Sequence, residues 1–533
     1  MANHHAPFYP IIYVRGFAMT QKEIEETSAD PFCGFNIGST VYRAVPEKDR
    51  ALRKFIFESP LVRLGSDFGY RDVYEDGYDI LDPEWHDDGK NRLSSRSIII
   101  FRYYDEASQL LGSGNVPPIS VFSQQLSELI LRVRDIVCNN KENGISKRDF
   151  RCYLVAHSMG GLICRGMLQN PKNDKGNARQ YVDKFFTYAT PHDGIDIMGI
   201  NVPSWLGLFD INNFNREEMA NYLDLKAVFQ KTKSVAFIPE NRFPSSKVFT
   251  MVGTNRQDYA LKLSRTFVGH GSDGLVKIEN ATLSGINADG TPSAPCAKAF
   301  AYRSHSGYLG IVNSEEAYQN MTRFLFGNVR VDVWVDVADI RLPDGIQTSI
   351  RKGNKVNALY QFESMISPRG KMWYLSRRVS EEDSVACLSQ TEWDKRNTKA
   401  YSLYLSSVFL ADRARVNQLR SSLAYSMSLG VRIPDYEVEK RLWFNEHYEG
   451  GYLFRDSIVL ELVPPKQKGL SWDVKYAWQG QGSVPANQEI DTKKVKGGKV
   501  EVCIPFDSST VPGVSGQLRF VVSLWNPEAA QEA

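Results

Sequence analysis

Residues 149–169 read Asp149-Phe-Arg-Cys-Tyr-Leu-Val-Ala-His-Ser-Met-Gly-Gly-Leu-Ile-Cys-Arg-Gly-Met-Leu-Gln169. Phe150 to Ala156 is apolar and partly β-branched, the composition of a buried strand. From Met159 to Leu168 the apolar residues Leu162, Ile163 and Met167 recur at helical spacing, which predicts a helix. Between the two lies Ala156-His157-Ser158-Met159-Gly160, a small-x-Ser-x-Gly pattern. A strand that turns sharply into a helix crowds its own backbone around the turning residue. Only small residues then fit two positions before and two after it, and the residue at the tip is forced out with its side chain accessible. Ser158 is that residue, and the helix start aims backbone N–H groups at the same point, where they can stabilise an anion. An ordinary strand–turn–helix with a surface Ser would share the five-residue pattern. The preceding strand, the following helix and the second small residue Gly161 favour the sharp elbow.

Ala156-His-Ser-Met-Gly-Gly161 resembles the nucleophile segment of α/β-hydrolase lipases and esterases, bacterial ones in particular, with Ala156 where a first Gly is usual. The resemblance runs over roughly residues 8–327 and includes three further motifs. Phe8 to Val14 is a short apolar stretch ending Arg15-Gly16-Phe17; lipases end the equivalent strand His-Gly followed by an aliphatic or aromatic residue, whose N–H enters the oxyanion hole. The resemblance therefore implies Phe17 and Met159 as the two backbone donors, with Arg15 departing from the usual His. Thr190-Pro191-His192 is similar to a segment that follows the next strand in lipases and lines the pocket edge, which makes His192 a wall residue and not the base. Gly271-Ser-Asp273-Gly-Leu-Val276 resembles the catalytic-acid loop of bacterial lipases.

The rest of this half has the matching alternation. A strand is expected over Arg96 to Tyr104 and a helix over about Val121 to Cys138, where Phe122, Leu126, Leu129, Ile130, Val133 and Val137 mark one buried face. Further strands are expected at 182–189 and 246–252, and a helix over 314–326. Strand, helix, strand, helix in this order predicts a mostly parallel sheet with helices on both faces, an α/β-hydrolase fold. Residues 18–95 are polar and irregular, too long for a bare connection, so they should hold helices or a small subdomain of their own. Residues 195–240 interrupt the pattern. Trp205, Leu206 and Phe209 fall in a dense apolar cluster there, where such hydrolases insert a cap or lid, and are the candidate substrate pocket; helical packing on the core is compatible with that.

The base follows by elimination among eight His. His4 and His5 are terminal, His86 and His157 precede Ser158, and His157 is expected to point away from the pocket. His192 belongs to the Thr-Pro-His segment, His270 to the acid's own loop, and His447 to the second half. His305 alone follows the acid and precedes the last helix. Ser158, Asp273, His305 is the order of nucleophile, acid and base in this fold class, with Asp258 the rival for the acid.

The chain has 533 residues, enough for two or three cores. Its net charge of +2 gives no reason to expect nucleic acid as a partner. Seven scattered cysteines include no pair with metal-ligand spacing, and the triad chemistry that the resemblance implies needs neither metal nor cofactor. Reduced thiols and the absence of a basic-then-apolar leader predict a cytoplasmic location, with export by another route or a trimmed signal left open. From Val329 the pattern changes: Val329, Val331, Val333, Val335 and Val337 alternate with Arg330, Asp332, Trp334 and Asp336, a half-buried strand. Seven further strand candidates and no regular helices predict an antiparallel β-sandwich. The expected organisation is thus 1–328 as the hydrolase domain, with a cap around 195–240, and 329–533 as the sandwich. Its aromatics Trp443, Phe444, Tyr448, Tyr452 and Phe454 could meet a lipid surface in transient contact, although core packing is the better reading. The chemistry expected is hydrolysis of carboxylic or lipid esters through an acyl-enzyme. A phospholipase, a lipid-anchor deacylase and an acyltransferase would use the same triad, and an inactive hydrolase scaffold is the reading of another class.

Overall fold

The computed structural model describes residues 8–16, 39–44, 52–57, 60–73, 93–103, 117–197, 200–201, 214–258, 270–306, 310–415, 417–439, 446–465, 472–481, 488–489, 493–495 and 498–526. The chain divides into two compact units, Pro7–Lys298 with Tyr302–Met321, and Thr322–Ala533 with Ala299–Ala301.

In the first unit, strand β1 (Ile11–Val14), helix α1 (Pro60–Phe68), strands β2 (Arg71–Asp72) and β3 (Ser97–Ile100) and helix α2 (Ile119–Asn139) lead to strand β4 (Cys152–His157) and helix α3 (Met159–Gln169). Strand β5 (Val182–Tyr188), helix α4 (Arg216–Tyr222) and strand β6 (Val248–Gly253) follow, and strand β7 (Ala297–Ala301) and helix α5 (Glu315–Phe326) are each divided between the two units. An antiparallel hairpin, Ser39–Ala44 with Leu52–Phe57, and α1 fill part of the irregular stretch before residue 95.

Every residue of β1, β3 and β4 is buried, as expected of strands covered by helices on both faces. The sheet order is β7-β6-β5-β4-β1-β3-β2. Pairings β4 to β1, β1 to β3, β3 to β2, β4 to β5 and β5 to β6 are all parallel. The strand that precedes Ser158 is central, later strands step outward on one side and earlier ones lie on the other. This is the α/β-hydrolase fold, and it places the C-terminal ends of β4, β6 and β7, where the candidate residues follow, along one edge. Helices α2 and α3 bury Phe122, Leu126, Ile130, Leu162, Ile163 and Met167 in one core. Ser123 Oγ donates to the Ile163 carbonyl at 2.9 Å, tying the two helices together.

In the second unit the strands are β8 (Val329–Arg341), β9 (Lys355–Pro368), β10 (Ser376–Arg378), β11 (Ala386–Ser389), β12 (Tyr401–Leu410), β13 (Leu423–Glu439) and β14 (Glu446–Val463). Strands β15 (Asp473–Trp478), β16 (Gln488–Glu489), β17 (Lys493–Val495), β18 (Lys499–Asp507) and β19 (Gly513–Leu524) complete it. They form two antiparallel sheets, β12-β8-β19-β18-β17 and β10-β9-β13-β14-β15-β16, with β11 also on β9. Val329, Val331, Val333, Val335 and Val337 share one core with Phe362, Met427, Val431 and Ile458 of the other sheet, which makes the unit a β-sandwich.

Two expectations need adjustment. The polar side of β8 is partly covered by side chains of its neighbours: Arg330 and Asp336 are buried, and Asp336 accepts from Arg519 on β19 and Ser402 on β12. The aromatics divide, with Phe454 packed on Trp478 and Phe506 while Tyr448 and Tyr452 are exposed; Trp443 and Phe444 lie outside the described residues.

Candidate active site

Strand β4 ends at His157 and α3 begins at Met159, so Ser158 alone makes the turn, with φ 52° and ψ −128°. A non-glycine residue there carries strain of about 1–3 kcal/mol, held by its surroundings. Those surroundings explain the small residues. A Cβ on Gly160 would lie 2.1 Å from the Val14 carbonyl oxygen, and one on Gly16 would lie 2.4 Å from Ser158 Cβ. Strand β1 thus presses directly against the elbow, leaving no room for larger side chains.

Ser158 Oγ is 2.9 Å from His305 Nε2, and His305 Nδ1 is 2.9 Å from Asp273 Oδ2. The other carboxylate oxygen of Asp273 accepts from the N–H groups of Leu275 and Val276, at 3.0 and 2.8 Å. The His305 N–H in turn donates to the Asp273 carbonyl at 3.0 Å, so the two loops are joined by backbone as well as by side chain. All three side chains are buried. Asp258 instead accepts from Asn255 Nδ2 at 2.5 Å, so the geometry brings Asp273, not Asp258, to the imidazole.

Met159 opens α3, where first-turn N–H groups have no acceptor within the helix. Phe17, Trp205, Leu206 and Phe209 lie outside the described residues. Among the described residues no cluster of His, Cys, Asp and Glu could hold a metal ion, and no helix is long and apolar enough to cross a membrane. Cys152 and Cys164 are buried thiols, both pushed up in pKa by burial.

One histidine differs from expectation. His157 does not point away: its Nε2 lies 2.9 Å from the His305 carbonyl oxygen, with ring centroids 5.0 Å apart. It is the last residue of β4, and the loop carrying His305 runs beside that strand end. Burial, with the nearby His305 and Arg15, holds its pKa well below the usual imidazole range. A neutral ring facing a carbonyl must donate from Nε2. His192, expected as a wall residue and not the base, is fully buried, with Nε2 3.2 Å from Thr187 Oγ1.

Arg165 gives no sign of its role in the sequence, because it sits at a helical position where an exposed Arg would be unremarked. It is fully buried and donates to Gln169 Oε1 and to the carbonyls of His192, Val235 and Phe237 at 2.7–2.8 Å. Burial brings its pKa down to about 10, so it stays charged at neutral pH. Asp193 closes the same junction, accepting from Ser234 Oγ, Val235 N and Arg216 Nε.

A hydroxyl, an imidazole and a carboxylate in hydrogen-bonded series can deprotonate the hydroxyl as it attacks an acyl carbon. No protein-family model and no curated protein matches the chain. Among solved structures it is similar to the mature Bacillus licheniformis lipase BlEst2, at 16% identity over 53% of this chain and 83% of that one, with a TM-score of 0.27. It is also similar to Aspergillus fumigatus lipase B, at 12% identity over 59% and 52% of the two chains and a TM-score of 0.24. Legionella pneumophila phospholipase PlaB has 12% identity over 83% of this chain and 90% of its own, with a TM-score of 0.30.

Proposed function

We propose that the chain is a serine carboxylic-ester hydrolase that acts on acyl or lipid esters through an acyl-enzyme. The observation that carries this is the unbroken series Ser158 Oγ, His305 and Asp273, each link 2.9 Å. His305 Nε2 takes the Ser158 proton as Oγ adds to the ester carbonyl. Asp273 keeps Nδ1 protonated and stabilises the imidazolium. The N–H of Met159, with that of Phe17, receives the negative charge on the tetrahedral oxygen, at about 3–4 kcal/mol per donor in comparable sites. His305 then protonates the departing alcohol, and water, activated by the same imidazole, releases the acid.

Labelling of the intact chain by a fluorophosphonate tests this. Modification should fall on Ser158, and Ser158→Ala should abolish both labelling and turnover of an activated ester, by at least about a thousandfold. A variant within tenfold of wild type would remove Ser158 as nucleophile, and an unlabelled wild type would support an inactive scaffold. The apolar stretch containing Trp205, Leu206 and Phe209 is the proposed acyl site, because burial of a chain contributes about 0.8 kcal/mol per methylene. Trp205→Ala with Phe209→Ala should depress kcat/KM for long acyl esters far more than for acetate; parallel acyl-length curves would place that site elsewhere.

A further inference from the structure

We propose that the β-sandwich unit carries a second site, for a phosphate group borne on a small organic body. A cavity of about 320 Å³ opens beside β12, β13 and the turn between them, a volume within the range that holds small ligands. Arg323, Arg369, Arg415 and Arg420 line it against one lining carboxylate, Glu461. Leu410, Ala411 and Leu423 supply an apolar side. A second cavity of about 300 Å³ shares Arg420, Ser422 and Glu461 and adds Lys475 and Asp473, so its lining charges balance and the excess of cations belongs to the first.

The arginines are not equivalent. Arg369 is engaged by Glu461 at 2.9 Å and Arg415 by Asp412 at 3.2 Å. Arg415 also donates to the Arg420 carbonyl at 2.7 Å. The Arg323 guanidinium lies 5.2 Å from the centre of the Trp373 ring and is nearly inaccessible. Arg420 is exposed, and its guanidinium has no hydrogen-bond or ion-pair partner among the described residues. The backbone at Arg420 is held by Arg415 while the charge of its side chain is unspent. With Arg369 and Arg415 each shared with a carboxylate, Arg323 and Arg420 leave net positive charge beside the cavity, which a doubly charged oxyanion offsets better than a single carboxylate. A phosphate monoester carries close to two negative charges, and its oxygens match the guanidinium fork in pairs.

The shared chemistry could come from a soluble phosphorylated metabolite or from a lipid headgroup, and one experiment separates them. Inorganic phosphate and acetate are titrated into the full chain by calorimetry, and vesicles of phosphatidylcholine with and without phosphatidic acid are tested by co-sedimentation. Arg420→Glu should weaken phosphate binding by at least about tenfold, with Arg420→Lys between it and wild type. Neither variant should change the melting temperature or the turnover of a soluble ester. Arg420-dependent binding to phosphatidic acid vesicles alone would make the headgroup the source. Arg420-dependent binding of phosphate without vesicle binding would make it a soluble ligand. The proposal is overturned if wild type binds neither, if acetate binds as tightly as phosphate, or if Arg420→Glu binds within about twofold of wild type.

Discussion

His157 stands one residue before Ser158 and holds the backbone of His305, the proposed base. Its Nε2 donor to the His305 carbonyl is buried, so losing it leaves an acceptor without water to replace it, a cost of about 1–3 kcal/mol. His157 is a positioning residue: its hydrogen bond goes to the His305 carbonyl, and its ring packs 5.0 Å, centroid to centroid, from the His305 ring. His157→Phe keeps the ring volume and removes the donor; it should lower kcat about tenfold with little change in KM. Gln carries an amide nitrogen at similar reach, so His157→Gln should restore most of the loss. If both variants lose activity equally, or lose it through KM, the contact is only packing. Sequence could not find this contact. The elbow itself was legible because crowding at Ser158 demands small residues at fixed spacing, and Gly16 and Gly160 meet that demand sterically. The pairing of His157 depends on a loop 148 residues away, which no local pattern encodes. Asp273 and Asp258 remained rivals in sequence for the same reason, and only the fold brings one of them to His305.

At the scale of elements, period and composition carried most of the information. The sequence expected a helix from Val121 to Cys138 and the structure has Ile119–Asn139, starting just after Pro118, a residue suited to a helix boundary. The strand alternation from Val329 was equally plain, but not that its polar side would be covered; that depends on which strands flank it. Buried cations are the other blind spot, and Arg165 is the sharpest case. It joins α3 to the turn at His192 and to the strand Phe237–Pro239, so one guanidinium holds α3 against the segment that follows the apolar stretch. Arg165→Met fills the space but strands three carbonyls, and should destabilise the hydrolase unit by about 3–5 kcal/mol. Arg165→Lys keeps charge but cannot span the same acceptors, so it should recover only a minor part. Thermal inactivation of ester hydrolysis measures both; a melting temperature unchanged in Arg165→Met would mean that these bonds are replaced by water.

Across the whole molecule, the two units should respond to acid in different pH windows. His157 and His192 belong to the hydrolase unit, and burial lowers both pKa values well below the ordinary imidazole value, aided by His305 and Arg15 for the first and Arg165 for the second. Unfolded, each titrates near 6.5, so below that pH the unfolded chain binds protons that the folded unit refuses. Stability is therefore full above about pH 6.5 and falls below it, by up to about 1.4 kcal/mol per pH unit for each group. The sandwich unit carries the opposite kind of group. Burial pushes the Asp336 carboxyl up, but hydrogen bonds from Arg519, Ser402 and Gln517 outweigh it and hold the pKa below the usual carboxylate value. That contribution is present above the unfolded value of about 3.9 and is lost as pH falls through the folded one. The chain supplies a probe for each unit. Loss of ester turnover on heating reports the hydrolase unit, and seven of nine tryptophans lie beyond residue 322, so their fluorescence reports mainly the sandwich. His192→Gln should flatten the fall in thermal resistance of turnover between about pH 6.5 and 5 and leave the fluorescence melt unchanged. Asp336→Asn should lower the fluorescence melt above about pH 5, yet flatten its further decline below about pH 4, without touching the first window. If either variant alters the slope in the other's window, the two buried charge systems are coupled, and the separation of acid responses by unit is wrong.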